Sequence, residues 1–233
     1  MSNEDIKERE YKALLSIKNN EQGAKYWVSW LDEQGFCEYK LCLKCNGLLA
    51  PDTNDTLIGK AQHLSIQEAH DELATPYEGT IADMVPDAVK SGRGMTFAEI
   101  SFSGGRLVGQ IDELMIKPSK EVYTIDNKPR SHTGKPFYSQ MRQALGYCVM
   151  WANNFPEYLN SLPVIAVIRD RNNLDWLWQQ RLTLKDYNDI NETLDRIQRI
   201  LRNPTTAIEN KGYGCPKCIY HITHQCDRDK AGK

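Results

Sequence analysis

Between residues 95 and 128 the chain reads as three strands joined by two tight turns, and no other stretch limits the fold as much. Residues 95–102 form the first strand and Ser103-Gly104-Gly105 the hairpin turn. Residues 106–116 form the second strand, Lys117-Pro118-Ser119-Lys120 the next turn, and residues 121–128 the third strand. Such an antiparallel meander must bury at least one face, so the helical segments around it have to supply the covering layers.

Those segments are present. Residues 4–18 read as a helix with Ile6, Leu14 and Ile17 apolar among charges, and residues 23–34 as another, with Trp27, Trp30 and Leu31 at helical spacing. Further helices are expected over 58–74 and 79–90, before the break at Ser91-Gly92-Arg93-Gly94. After the meander, a loop over 129–136 leads to a helix at 137–154. Pro163-Val-Ile-Ala-Val-Ile opens a strand at 163–170, apolar enough to be covered on both faces. Leu174, Trp176 and Trp178 alternate with polar residues in a partner strand over 174–184. A final helix at 185–202 carries Ile190, Leu194, Ile197 and Leu201 on one face. The expected fold class is α/β, a central mixed sheet flanked by helices in a single domain over 1–233. Within it, residues 1–50 form a helical segment, 55–203 the core and 204–233 a cysteine-rich end.

Charge and composition exclude some functions. No apolar run approaches the roughly 20 residues of a membrane span. The charged start, Met1 to Glu10, lacks a secretory pattern and predicts a cytoplasmic protein. Net charge is −2, but it is unevenly spread: residues 1–100 hold 10 Lys/Arg against 17 Asp/Glu, so the excess of cations lies in the second half, where a polyanion would be favoured. Seven cysteines in such a compartment point to metal or cluster ligation rather than disulfides.

The chemistry converges on the meander. Asp112 lies in Gly109-Gln-Ile-Asp on the second strand, and Asp126 and Lys128 lie in Asp126-Asn127-Lys128 on the third. Residues two apart leave the same face of a strand, and hairpin neighbours can bring Asp112 beside Asp126. Two adjacent carboxylates need a cation, and oxygen donors suit Mg²⁺ or Mn²⁺. A lysine beside them can orient water or steady charge on phosphate oxygens. On the following helix, Gln143 and Tyr147 are i and i+4 and share a face.

The acid on one strand and Asp-x-Lys on the next resemble the PD-(D/E)XK nuclease superfamily, with Asp126 where many members carry Glu. Gln143-Ala-Leu-Gly-Tyr147 resembles the Gln-x-x-x-Tyr motif of its RecB-type branch. Gly59-Lys-Ala-Gln-His63 resembles that branch's Gly-x-x-x-His motif, which implies His63 as a metal ligand, with His70 as its rival; Glu99 resembles an acid found just ahead of Gly-x-x-Asp. Cys215-Pro-Lys-Cys218 followed by Cys226, with Cys37 far upstream, resembles the four thiolates of the iron–sulfur members, the CRISPR-associated RecB-like exonucleases and their stand-alone or viral relatives. The resemblance spans residues 26–228.

It implies a metal-dependent exonuclease acting on single-stranded DNA ends, commonly from the 5′ side and sometimes with endonuclease activity, in CRISPR adaptation or recombination and repair. Its metal ligands would be His63, Asp112, Asp126 and the Asn127 carbonyl, with Lys128, Gln143 and Tyr147 beside them. Cys37, Cys215, Cys218 and Cys226 would hold a structural [4Fe–4S] cluster. Arg130, His132, Lys135 and Arg142 would track the DNA backbone. Cys42-Leu-Lys-Cys45 leaves a zinc alternative, with Cys42, Cys45, Cys215 and Cys218 as ligands. Cys148 is expected to be a buried apolar residue. Rival readings are a non-catalytic DNA-binding adaptor of an integrase-type complex and a zinc-stabilised endonuclease.

Overall fold

The computed structural model describes residues 3–48, 57–58, 61, 64–65, 68, 72, 75–209, 215 and 218–226. In chain order its main elements are α1 (Asn3–Lys18), β1 (Tyr26–Trp27), α2 (Ser29–Phe36), α3 (Tyr39–Cys45) and α4 (Ile81–Ser91). Then come β2 (Met95–Gly104), β3 (Leu107–Ile116), β4 (Val122–Lys128), α5 (Tyr138–Asn154), β5 (Val164–Asp170), β6 (Trp176–Arg181), α6 (Leu184–Arg202) and α7 (Ile219–Ile222). The expected helix over 58–74 lies largely outside the described residues.

The described strands form one mixed sheet of six. β2–β3, β3–β4 and β5–β6 are antiparallel, and β4–β5 and β1–β3 are parallel. The meander forms as its turn residues dictate. Gly104 pairs with Leu107, so Gly105 and Arg106 make the hairpin, with Gly105 at φ +57°. β5 sits between β4 and β6, and every residue from Ala166 to Asp170 is buried, as a strand covered on both faces requires.

The expected helix over 23–34 is corrected. Tyr26–Trp27 is a short strand and the helix begins only at Ser29. The Tyr26 N–H donates to the Arg106 carbonyl at 2.8 Å and the Val28 N–H to the Val108 carbonyl at 3.0 Å. An unpaired stretch of β3 edge thus captures the backbone before the helix starts, since a buried amide needs a partner. The strand expected over 174–184 is also shorter, and Leu174 takes φ +62° in the turn before it.

Helix ends follow local chemistry. Thr183 caps α6 and exchanges bonds with Asp186, and Thr80 does the same with Asp83 at α4. The apolar face of α6, with Ile190, Leu194, Ile197 and Leu201, is fully buried, as its periodicity predicts. α5 crosses the sheet and meets α2 closely. A Cβ on Gly35 would lie 2.9 Å from Ser139 Cβ, and one on Gly146 would collide with Leu31 Cδ1. No described helix is long and apolar enough to cross a membrane.

Candidate active site

The site forms where the β3–β4 ladder ends. Pairing stops at Glu113 with Ile125, and one step on the Asp112 carboxylate takes over, its Oδ2 accepting the Asn127 N–H at 2.7 Å. The side chain therefore does what the next backbone carbonyl would have done, and it holds Asp112 beside Asp126. On the same face, Lys128 Nζ is 3.1 Å from Asp126 Oδ2 and donates to Gln143 Oε1 at 3.0 Å. Gln143 Nε2 in turn donates to the Tyr147 hydroxyl oxygen at 3.2 Å. Asp112, Asp126, Lys128, Gln143 and Tyr147, drawn from β3, β4 and α5, thus meet as the strand period and the i, i+4 spacing predict.

The electrostatics are those of a buried acidic site with one cation. Burial works to lower the Lys128 pKa, but the carboxylates of Asp126, Asp32 and Asp112 outweigh it and hold it above the usual lysine value. Lys128 is therefore an ammonium at neutral pH. Burial first, then the charges of Asp126 and Asp112, push the Tyr147 phenol well up, so it stays protonated. Among the described residues, Asp126 Oδ2 is fully buried and has no well-aligned hydrogen-bond donor, with the Lys128 ammonium 3.1 Å away. A buried carboxylate oxygen in that state is a candidate donor for a divalent cation. Asp112, Asp126 and the Asn127 carbonyl thus offer hard oxygen donors at one place. His63, Gly59 and the rival His70 lie outside the described residues.

Glu99 faces the same place. The β2–β3 register runs from Ala98–Glu113 to Ile100–Ile111 and leaves Glu99 opposite Asp112 without a ladder pair. Its backbone is left-handed, φ +50°, a strain of about 1–3 kcal/mol for a residue with a Cβ. Its carboxylate adds to the field that holds up the Tyr147 phenol.

The expected DNA-contacting residues divide. Arg130 bridges Asp170 and Asp175, at 2.9 Å each. Arg142 donates to Gln34 Oε1 at 3.1 Å, and its burial pulls its pKa below the usual guanidinium value. His132 and Lys135 are exposed on the loop before α5. Residues that sequence reasoning missed lie beneath and beside the site. On the opposite face of the sheet, Arg169 donates to Asn127 Oδ1 at 2.9 Å and to Glu113 Oε2 at 2.6 Å, and Arg171 reaches the Asn127 carbonyl at 3.1 Å. Asp32 comes from α2, a helix whose apolar pattern says nothing about where its acids point. Arg169 did carry a signal, being a charge inside a continuous apolar strand.

None of the cysteines is in a disulfide among the described residues. Cys37, Cys218 and Cys226 border one small apolar cluster built on Tyr39, Leu43, Ile200, Ala207 and Tyr220. The Cys218 N–H closes a turn on the Cys215 carbonyl at 3.0 Å. Cys42 faces this cluster, whereas Cys45 packs into the main core, so the two thiols of the CxxC part company. Among the described residues no three His, Cys, Asp or Glu side chains are gathered closely enough to hold a metal. Cys148 is buried beside Thr124, and burial pushes its thiol up to about 12.

No protein-family model matches the chain, and no curated protein does. Among solved structures, SSO0001 is similar at 14% identity and a TM-score of 0.46, covering 90% of this chain and 92% of its own. A candidate exonuclease from Eubacterium rectale is similar at 12% identity and a TM-score of 0.47, covering 100% of this chain and 93% of its own.

Proposed function

We propose that the protein is a metal-dependent deoxyribonuclease of the PD-(D/E)XK superfamily, similar to the RecB-type iron–sulfur exonucleases. It degrades single-stranded or frayed DNA ends, from the 5′ side, in CRISPR adaptation or in recombination and repair. The supporting observation is the meeting of Asp112, Asp126, Lys128, Gln143 and Tyr147 around a buried carboxylate oxygen that lacks a well-aligned hydrogen-bond donor.

Asp112, Asp126 and the Asn127 carbonyl would hold Mn²⁺ or Mg²⁺, with His63 as the imidazole donor. The ion would supply Lewis acidity toward the scissile phosphate. The Asn127 carbonyl already accepts from Arg171 and keeps a second lone pair. Lys128, held as an ammonium by its acidic neighbours, stabilises negative charge on the phosphate oxygens rather than accepting a proton. Gln143 fixes the ammonium with its carbonyl and is itself fixed through its amide by Tyr147. Asp112 has a further task, since it pins the Asn127 amide and so the strand that carries both Asp126 and Lys128.

Cys37, Cys215, Cys218 and Cys226 would hold a [4Fe–4S] cluster that ties the cysteine-rich end to the N-terminal segment. Cys37, Cys218 and Cys226 pack against the same apolar cluster, which supports a shared lobe for the two segments. An integrase-type adaptation complex in the cytoplasm is the corresponding partner. The test is cleavage of end-labelled single-stranded DNA with Mn²⁺. Lys128→Ala and Asp112→Ala should each lower turnover by about 10²–10³-fold while DNA binding survives. Full turnover in both variants would exclude this site.

A further inference from the structure

The segment 129–142 leaves the candidate lysine and returns to the glutamine that holds it. Because Lys128 and Gln143 are bonded at 3.0 Å, the segment is a closed loop fixed at the site. It is also braced. Arg130 is tied to Asp170 and Asp175, and the Ser131 hydroxyl donates to the Lys135 carbonyl and lies 2.9 Å from the Thr133 hydroxyl. Outward it shows two large aromatic rings, Phe137 at 42% and Tyr138 at 69% exposure, on the same segment as the exposed His132 and Lys135. One helical turn on, the Arg142 guanidinium lies 5.8 Å from the Tyr138 ring centroid and is itself tethered to Gln34. The ring therefore stands beside a fixed cation, and most of its surface contributes nothing to the core.

We infer that Tyr138, with Phe137 beside it, is a base-stacking platform for the single-stranded end of a DNA substrate. This deepens the nuclease reading and rests on it. A duplex keeps its base faces inside its own stack, whereas a single strand presents them, and every base has a π face. Such a platform selects strandedness without selecting sequence. Its placement also fits: Tyr138 opens the helix that carries Gln143, the residue bonded to Lys128, so the ring stands at the start of the element that borders the site. His132 and Lys135 then flank the strand as phosphate partners.

The experiment is equilibrium binding by fluorescence anisotropy, with the full chain and a chelator present so that no cleavage intervenes. The probes are a labelled oligothymidylate, the same oligomer with abasic sites, and a blunt duplex. Wild type should bind the oligothymidylate about tenfold more tightly than the abasic strand, the scale of one stacked base. Tyr138→Ala should lose that difference while keeping the abasic affinity, and Tyr138→Trp should keep both. The ring is largely exposed, so the melting temperature of Tyr138→Ala should match wild type. Equal wild-type affinity for the two strands, or an unchanged preference in Tyr138→Ala, would overturn the platform. Failure to bind any of the three probes would overturn the nuclease reading, and the platform with it.

Discussion

Glu38 shows what a single residue can hold together. Its buried carboxylate receives Arg196 twice, at 2.9 and 2.7 Å, the Ile208 N–H at 2.7 Å and Gln34 Nε2 at 2.8 Å. Burial alone would raise its pKa, but the donors of Arg196, Ile208 and Gln34 prevail and lower it. A lowered folded pKa means that the stabilisation is fully present above the ordinary glutamate value of 4.5 and is lost as pH falls through the folded value. Glu38→Gln should therefore cost about 1–3 kcal/mol at pH 7. The gap should close below pH 4.5, as read from urea midpoints at both ends of the range. A gap unchanged at low pH would assign the effect to shape rather than charge. Glu38 was not legible in the sequence because Arg196 and Ile208 lie 158 and 170 residues away. Asp126 and Lys128 were legible because the strand period alone puts them side by side, and Gln143 and Tyr147 because the helix period does.

At the level of elements, the order of helices and strands was readable, and the exceptions have one cause. β1 is two residues long and exists only because β3 offers it backbone partners, so no pattern within residues 23–34 could announce it. The support beneath β4 is of the same kind. Arg169 on β5 joins Glu113 on β3 to Asn127 on β4, tying three strands together at the point where the ladder opens. Glu113 and Arg169 are both buried. Removing the cation breaks the buried ion pair that Glu113 makes at 2.6 Å, so Arg169→Ala should cost about 3–5 kcal/mol. Replacing both, as in Glu113→Leu with Arg169→Met, should recover most of that stability. The double variant should still lose activity, because the Asn127 side chain would lose the hydrogen bond from Arg169 that backs the strand opposite Asp112. Denaturation of the single and double variants, together with their turnover, separates the two effects. Wild-type turnover in the double variant would show that the tie serves stability alone.

Across the whole molecule, two segments far apart in sequence, one around Glu38–Leu48 and one around Ile208 and Tyr220, are drawn to one lobe. The Tyr220 hydroxyl donates to the Leu48 carbonyl at 2.8 Å, and Glu38 takes the amide of Ile208 as the chain turns toward the cysteine-rich end. Three of the four expected cluster residues border the apolar floor between those attachments. An iron–sulfur role makes a prediction that separates these thiols from the others. Protein purified without oxygen should be brown and carry about four irons per chain. Cys218→Ala and Cys226→Ala should lose both colour and iron and melt at lower temperature, since the lobe would lose the cross-link between the two segments. Cys45→Ala and Cys148→Ala should keep colour and iron. The Cys45 thiol sits in the main core with its pKa raised by burial, and the Cys148 thiol is pushed up to about 12 under α5. Neither residue borders the apolar floor that Cys37, Cys218 and Cys226 share. Zinc in place of iron, lost on mutating Cys45, would instead support the paired CxxC arrangement and would require α3 to turn Cys45 out of the core. Turnover should fall with the cluster even though no electron transfer is needed for hydrolysis. α3 and the tail pack against α6, and Glu38 connects them through Gln34 and Arg142 to the helix that holds Gln143. Loss of iron with undiminished turnover would show that the lobe and the candidate site on β4 are mechanically independent.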